Sequence, residues 1–90
     1  MQIEFDDEKR DMTLQERGLD FARAAEIFAG MHLTLPDDRR NHKEQHFFTV
    51  GRLDARIVIV VWTPRGKARR IISMRKANER EVKNYTQRLA

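Results

Sequence analysis

Cysteine is absent from the 90 residues, which removes a disulfide framework, a zinc–thiolate site and a cysteine nucleophile together. Proline occurs twice and glycine four times, each glycine standing alone. A phosphate-binding glycine-rich loop and a dinucleotide fingerprint are therefore missing, as is the zinc-protease helix motif. The longest apolar run, Ile57 to Trp62, is six residues, against the ~20 that a membrane-spanning helix requires. The first ten residues carry six charges and no apolar stretch, which is not the pattern of a secretory signal peptide. No internal repeat, low-complexity tract or dividing linker occurs. These absences predict one domain over residues 1–90, soluble and cytoplasmic, with no cofactor, no metal and no membrane partner.

What is present is charge over a modest apolar content. Charged residues make up 36% and apolar ones 40%, with five Phe, one Trp and one Tyr. That is too hydrophobic and aromatic for a disordered chain, though the core of so short a domain is small. The charge is lopsided: residues 1–50 hold seven Lys/Arg against eleven Asp/Glu, and residues 51–90 hold eleven against three. A net of −4 thus faces a net of +8 within the overall +4. Such a C-terminal half suits a polyphosphate or an acidic partner, and equally a solvated surface.

Gln2 to Phe5 alternates polar and apolar, as in a short strand. Asp6 or Asp7 opens a polar surface helix that ends before Gly18, a left-handed C-cap. Asp20 caps a second helix, in which Phe21, Ala24, Ala25 and Phe28 form a core stripe closed by Gly30. Met31, Leu33 and Leu35 alternate as a strand broken at Pro36, and a polar stretch runs to Gln45. His46 to Val50 is a strand turning through Gly51 to Asp54. Arg56 to Thr63, apolar on both faces, is a central strand. Pro64-Arg65-Gly66-Lys67 turns into a strand over Ala68 to Arg75. Asn78 caps a last helix with Val82, Tyr85 and Leu89 on one side. Strands joined by short turns predict the α+β class: a small antiparallel sheet with two N-terminal helices and one C-terminal helix.

His32, His42 and His46 are close in sequence but fall on two strands and a loop, which suits ordinary histidines better than a metal site. His42 or His46 could serve as an acid–base group. The denser signal is Arg65, Lys67, Arg69, Arg70, Arg75, Lys76 and Arg80, within sixteen residues around Ser73. Cutting RNA without a metal needs cations beside the scissile phosphate, where charge builds on the oxygens. It also needs one group to take the 2′-hydroxyl proton and another to protonate the leaving oxygen. Arginine grips phosphate in a planar fork. Regular alternation puts Arg69, Ile71, Ser73 and Arg75 on one face and Arg70, Ile72 and Met74 on the other, unless a bulge intervenes. One arginine is then structural, paired with an acid of the N-terminal half.

Several segments resemble a known family. Ile3-Glu4-Phe5-Asp6-Asp7-Glu8-Lys9 is similar to the Phe-x-Trp-Asp-x-x-Lys opening of the BrnT toxins. Gly18-Leu19-Asp20-Phe21-x-x-Ala24 resembles their step into the second helix. Thr63-Pro64-Arg65-Gly66, followed by Arg70-Ile71-Ile72-Ser73-Met74-Arg75-Lys76-Ala77, is similar to their Thr-x-Arg-Gly and Arg-Ile-Ile-Ser-Ala-Arg-Lys-Ala signature. Glu81 and Tyr85 fall where their closing helix carries Glu and Tyr. The resemblance implies a RelE-like fold and the toxin half of a type II toxin–antitoxin pair, a metal-independent endoribonuclease that inhibits translation and growth. It further implies a BrnA-type ribbon-helix-helix antitoxin, contact with operator DNA through that antitoxin, and a 2:2 heterotetramer. Lys9, Arg65, Arg70, Ser73, Arg75 and Lys76 match family motifs.

Two departures bear on the chemistry. The family carries Lys-His before the first helix's closing glycine, where this chain has Glu16-Arg17-Gly18. It carries Glu-x-Arg before its strand glycine, where this chain has Glu44-Gln45-His46. The expected catalytic set is therefore Arg65, Arg70, Ser73 and Arg75, with Glu16 or His46 as base. Lys9, Arg17, Lys67 and Lys76 are expected to bind substrate. Ser73 has two further readings, orienting an arginine or packing in its strand. Lys9 suits a surface ion pair as well, and Tyr85 a core position with its hydroxyl in solvent. The alternative function is a weakened or inactive relative that only binds nucleic acid or antitoxin. Phe47, Phe48 and Trp62 are the only candidates for base stacking, and their strand positions suggest core. An acidic antitoxin segment would dock on the same arginines.

Overall fold

The computed structural model describes residues 1–38 and 43–89, so His42 lies outside the described residues. In chain order they form β1 (Gln2–Phe5), α1 (Asp7–Arg17), a 3-10 turn (Phe21–Arg23), α2 (Ala24–Ala29), β2 (His32–Pro36), β3 (Phe47–Leu53), β4 (Arg56–Arg65), β5 (Ala68–Lys76) and α3 (Glu79–Thr86). The sheet has five strands in the order β1-β5-β4-β3-β2. Neighbours among β2 to β5 are antiparallel, as their short connections require. β1 joins the far edge parallel to β5, so the sheet is mixed where an antiparallel one was expected. A parallel neighbour needs a long crossover, and the helices and strands between β1 and β5 supply it.

The local signals act where they stand. The Asp6 carboxylate accepts the N–H groups of Glu8 and Lys9, and Gly18, at φ 69°, ends α1. No residue of α1 is buried, as its polar sequence predicts. The single helix expected from Asp20 to Gly30 is instead a 3-10 turn running into a six-residue helix. Residues three apart eclipse in a 3-10 turn, so Phe21 and Ala24 bury together under the sheet. β2 ends at Pro36, as expected, with the proline paired to Phe47 on an edge strand, where a missing N–H costs no ladder bond.

Gly51 sits inside β3 and not in the turn assigned to it. A Cβ there would lie 2.6 Å from Ile27 Cγ2, so the glycine lets α2 press against the sheet. The turn falls later, at Asp54 and Ala55, both at positive φ (52° and 65°), which suits a two-residue hairpin between right-twisted strands.

Two clusters cover the two sheet faces. Phe21, Ile27 and Phe28 pack with Val58, Val60, Trp62, Ile71 and Met74 on one. Leu89 packs with Val50, Ile57 and Ile59 on the other, flanked by Phe48 and Tyr85. Trp62 donates its indole N–H to Thr49 Oγ1 at 2.8 Å, and Thr34 meets the same oxygen at 2.8 Å, so the buried indole is satisfied.

The pairing of β4 with β5 is irregular between Val61 and Trp62: Val61 opposes Ser73 while Trp62 opposes Ile71, which leaves Ile72 unpaired. This β-bulge reverses the alternation of β5. Ile71 and Met74, three apart, therefore share the first core.

Outside the sheet, the Arg10 guanidinium clasps the Asp20 carboxylate, Nε to Oδ1 at 2.9 Å and Nη2 to Oδ2 at 3.0 Å, tying α1 to the 3-10 turn. These hydrogen bonds outweigh desolvation and hold Asp20 below the usual carboxylate range, helped by the Ala22 N–H.

Two outcomes follow from these contacts. Gly51→Ala overpacks the α2–sheet contact and destabilises by about 1–3 kcal/mol in chemical or thermal unfolding. Asp20 ionises more readily folded than unfolded, so its stabilisation is complete above its unfolded pKa of about 3.9 and fades as acid protonates the folded form. Unfolding titrations from about pH 6 to pH 2 will show a shallower acid decline for Asp20→Asn than for the wild-type chain.

Candidate active site

The bulge decides which arginines meet. Cross-strand partners share a face. Arg70 opposes Thr63, Ser73 opposes Val61 and Arg75 opposes Ile59, so these three β5 residues lie on the α3 side of the sheet. The expected grouping of Arg69 with Ser73 and Arg75 is thereby corrected: Arg69 opposes Pro64 on the other side. Its guanidinium lies 4.3 Å from the Phe28 ring centroid and 4.7 Å from that of Trp62. Arg69 is a packing residue. Arg70 meets an acid of the N-terminal half, Glu4 of β1, at 3.4 Å.

His46 precedes Phe47, which opposes Trp62 on the far face, so His46 belongs to the Arg70 side. The Thr63 hydroxyl donates to the Gln45 carbonyl at 2.7 Å, which draws the chain before β3 against the end of β4. Glu44 then stands between two expected site residues, 3.4 Å from His46 Nε2 and 3.5 Å from Arg65 Nη2. The His46 side chain is only 11% exposed. By strand register Arg65, Arg70, Ser73 and His46 thus belong to the same face of the sheet as Val61 and Phe48.

Arg75 lies at the end covered by α3. It holds Glu81 in a fork, Nη1 to Oε1 at 2.7 Å and Nη2 to Oε2 at 2.8 Å. Glu81 also accepts the Asn78 N–H at 2.9 Å, closing the capping box of α3. Phe48, Ile59, Arg75, Glu81 and Tyr85 line a cleft of about 160 Å³ between α3 and the sheet.

The remaining expected residues lie elsewhere. Lys9, Glu16 and Arg17 line a groove along α1 that reaches Ile72 and Ser73. Arg17 donates to the Met74 carbonyl at 2.8 Å, on the stretch of β5 beyond its pairing with β1. Glu16 and His46 flank opposite margins, with β4 and β5 between them. Lys67 sits at the hairpin tip beside Gly66, whose φ of 58° shapes the turn. Lys76 lines a separate groove with Arg52 and Arg56. Among the described residues no three His, Asp or Glu side chains gather where an ion could be held.

Phe47 and Trp62 stack at 5.0 Å within the core and form no exposed platform. Glu44 and Phe48 were not among the expected site residues. Glu44 had a signal in the Glu44-Gln45-His46 stretch, where it stands at the glutamate of the family's Glu-x-Arg. Glu81 had one in the Asn78-x-x-Glu81 spacing of a capping box.

A family model described as "Ribonuclease toxin, BrnT, of type II toxin-antitoxin system" matches residues 5–81. The chain belongs to the BrnT family. It is accordingly the ribonuclease toxin of a type II toxin–antitoxin system, and an antitoxin is its partner. A search among curated proteins gave no match. No helix among the described residues is long and apolar enough to cross a membrane.

The stacking of Arg69 gives a control for the arginines of the opposite face. Arg69→Ala forfeits two ring contacts and destabilises by about 1–2 kcal/mol in thermal unfolding, with RNA cleavage by the folded fraction unchanged.

Proposed function

We propose that this BrnT-family toxin cuts RNA without a metal, at the sheet face shared by Arg65, Arg70, Ser73 and His46. The supporting observation is the β5 bulge, which turns Arg70 and Ser73 toward the side that holds Arg65 and His46. Arg65 and Arg70 grip the scissile phosphate from two strands, and the Ser73 hydroxyl donates to one of its oxygens. The 2′-hydroxyl attacks phosphorus and the bond to the 5′ oxygen breaks, leaving a 2′,3′-cyclic phosphate and a 5′-hydroxyl. His46 takes the 2′-hydroxyl proton, oriented by Glu44, and solvent water protonates the 5′ oxygen on the far side of phosphorus. Glu16, on the α1 groove, is the less favoured base. Charge developing on the phosphate oxygens meets guanidinium groups already in place, the usual source of the largest rate term.

In the cell this activity would inhibit translation and arrest growth in the cytoplasm. A BrnA-type ribbon-helix-helix antitoxin would neutralise it in a 2:2 heterotetramer and carry the complex to operator DNA. The test is purified chain on end-labelled RNA in excess chelator, together with induced expression with and without the antitoxin. Cleavage is expected to persist in chelator. Arg70→Ala, which gives up a 3.4 Å contact with the half-exposed Glu4, should cut ~100-fold more slowly while melting like the wild type. A folded wild-type chain that neither cuts RNA nor arrests growth would leave a binding-only relative.

A further inference from the structure

The groove at the start of β4 combines positive charge with an apolar lining. Arg52, Arg56 and Lys76 supply the charge, Ile57, Ala77 and Val82 supply apolar surface, and no acidic residue lines it. Its volume of about 400 Å³ falls within the ~300–1,000 Å³ of built ligand pockets. Val82 stands 39% exposed, a branched aliphatic side chain left in water. The cations are open to a partner. Among the described residues Arg56 and Lys76 hold no ion pair, and Arg52 donates one N–H, to the Leu89 carbonyl at 3.2 Å. Asp54, the acid whose charge Arg56 feels, has both carboxylate oxygens held by Arg23, at 2.6 and 2.8 Å. Arg56 opens β4 and Arg65 ends it. At ~3.3 Å per residue the groove therefore lies about 30 Å along the strand from the Arg65 end.

We propose that this groove anchors the antitoxin through an acidic segment carrying an aliphatic side chain, at a site apart from the face that cuts RNA. Charge complementarity chooses the segment: two guanidinium groups and an ammonium meet carboxylates, and arginine takes a carboxylate in a planar fork. The aliphatic side chain packs on Ile57, Ala77 and Val82 and removes their exposed surface from water. An apolar centre with a charged rim is the ordinary anatomy of a protein interface. Single-stranded RNA fits less well. Its bases are held by stacking on aromatic side chains, and none lines the groove. A phosphodiester backbone would meet the cations and leave the apolar lining wet, whereas an acidic peptide satisfies both. The partner comes from the family assignment, and the ribonuclease reading enters only where growth arrest is the readout.

Two measurements decide it. Fluorescence anisotropy uses a labelled synthetic peptide in which glutamates flank leucines. The wild-type chain is expected to bind it, more weakly as salt rises, and to bind glutamine-for-glutamate and serine-for-leucine versions about tenfold more weakly. Arg56→Glu and Val82→Gln, each at an exposed position, should separately weaken the glutamate–leucine peptide about tenfold while melting like the wild type. The second measurement uses the antitoxin itself, as purified protein and by co-expression. Both variants should bind it more weakly and arrest growth in its presence, while cutting RNA at the wild-type rate. Peptide binding or antitoxin affinity unaltered in both variants would overturn the anchor. So would single-stranded RNA that displaces the peptide from the wild type and loses its own binding in Arg56→Glu, since the groove would then serve nucleic acid. If the antitoxin binds through Arg56 and Val82 but the wild type cuts no RNA, the ribonuclease reading fails and the anchor stands. If the wild type cuts RNA and both variants keep full antitoxin affinity, the anchor fails and the ribonuclease reading stands.

Discussion

One unpaired residue in β5 organises the functional side of this molecule. With Ile72 left out of the ladder, Ile71 and Met74 can both enter the helix-side core while Arg70, Ser73 and Arg75 all face the other way. A regular strand could not do this, since residues three apart would lie on opposite faces. The bulge also falls just past the end of β1 pairing at Ile71. Beyond that point β5 is an edge, and α1 takes the place of a neighbouring strand, with Arg17 donating to the Met74 carbonyl. Core packing, edge protection and the spacing of three polar side chains thus depend on a single irregularity.

Much of the fold was legible because its signals are local. Asp6 and Gly18 bound α1, Gly66 shapes the β4–β5 turn and Asn78 caps α3, each through a hydrogen bond or a dihedral within a few residues. What escaped depends on distant partners. Gly51 looks like a turn residue until Ile27 is known to lie against it. Nothing in Arg70-Ile71-Ile72-Ser73 marks which isoleucine leaves the ladder, because both are ordinary strand residues. The parallel seat of β1 is equally hidden, since four alternating residues pair as well in either direction. The candidate site was read as a set of residue types, and its membership changed once the bulge sorted them by face.

The α3 capping box has a second consequence. A capping carboxylate ordinarily serves only its own helix end, yet Glu81 joins that role to the Arg75 fork. The first turn of α3 and the C-terminal end of β5 are therefore held by one side chain. Helix and sheet meet here through a charge-assisted contact with shape demands on both partners, while Leu89, beyond the helix, adds the apolar contact with Val50, Ile57 and Ile59. α3 is short and has no buried residue of its own, so this contact and Leu89 set its position.

The positive excess of the C-terminal half overstates the cations open to a substrate, and distance sorts them. Arg75 is held at 2.7 and 2.8 Å in a half-covered fork, and Arg69 is laid over two rings. Arg65 and Arg70 meet Glu44 and Glu4 at 3.5 and 3.4 Å, between side chains that are a third to a half exposed. Contacts at such lengths lie beyond the usual hydrogen-bond range and contribute little in water. Replacing Glu44 or Glu4 by a phosphate oxygen therefore costs almost nothing, and the new bond is shorter and stronger. Breaking the Arg75 fork would strand a carboxylate against apolar walls. The same residue type thus divides by its neighbours into arginines that can exchange partners and arginines that cannot.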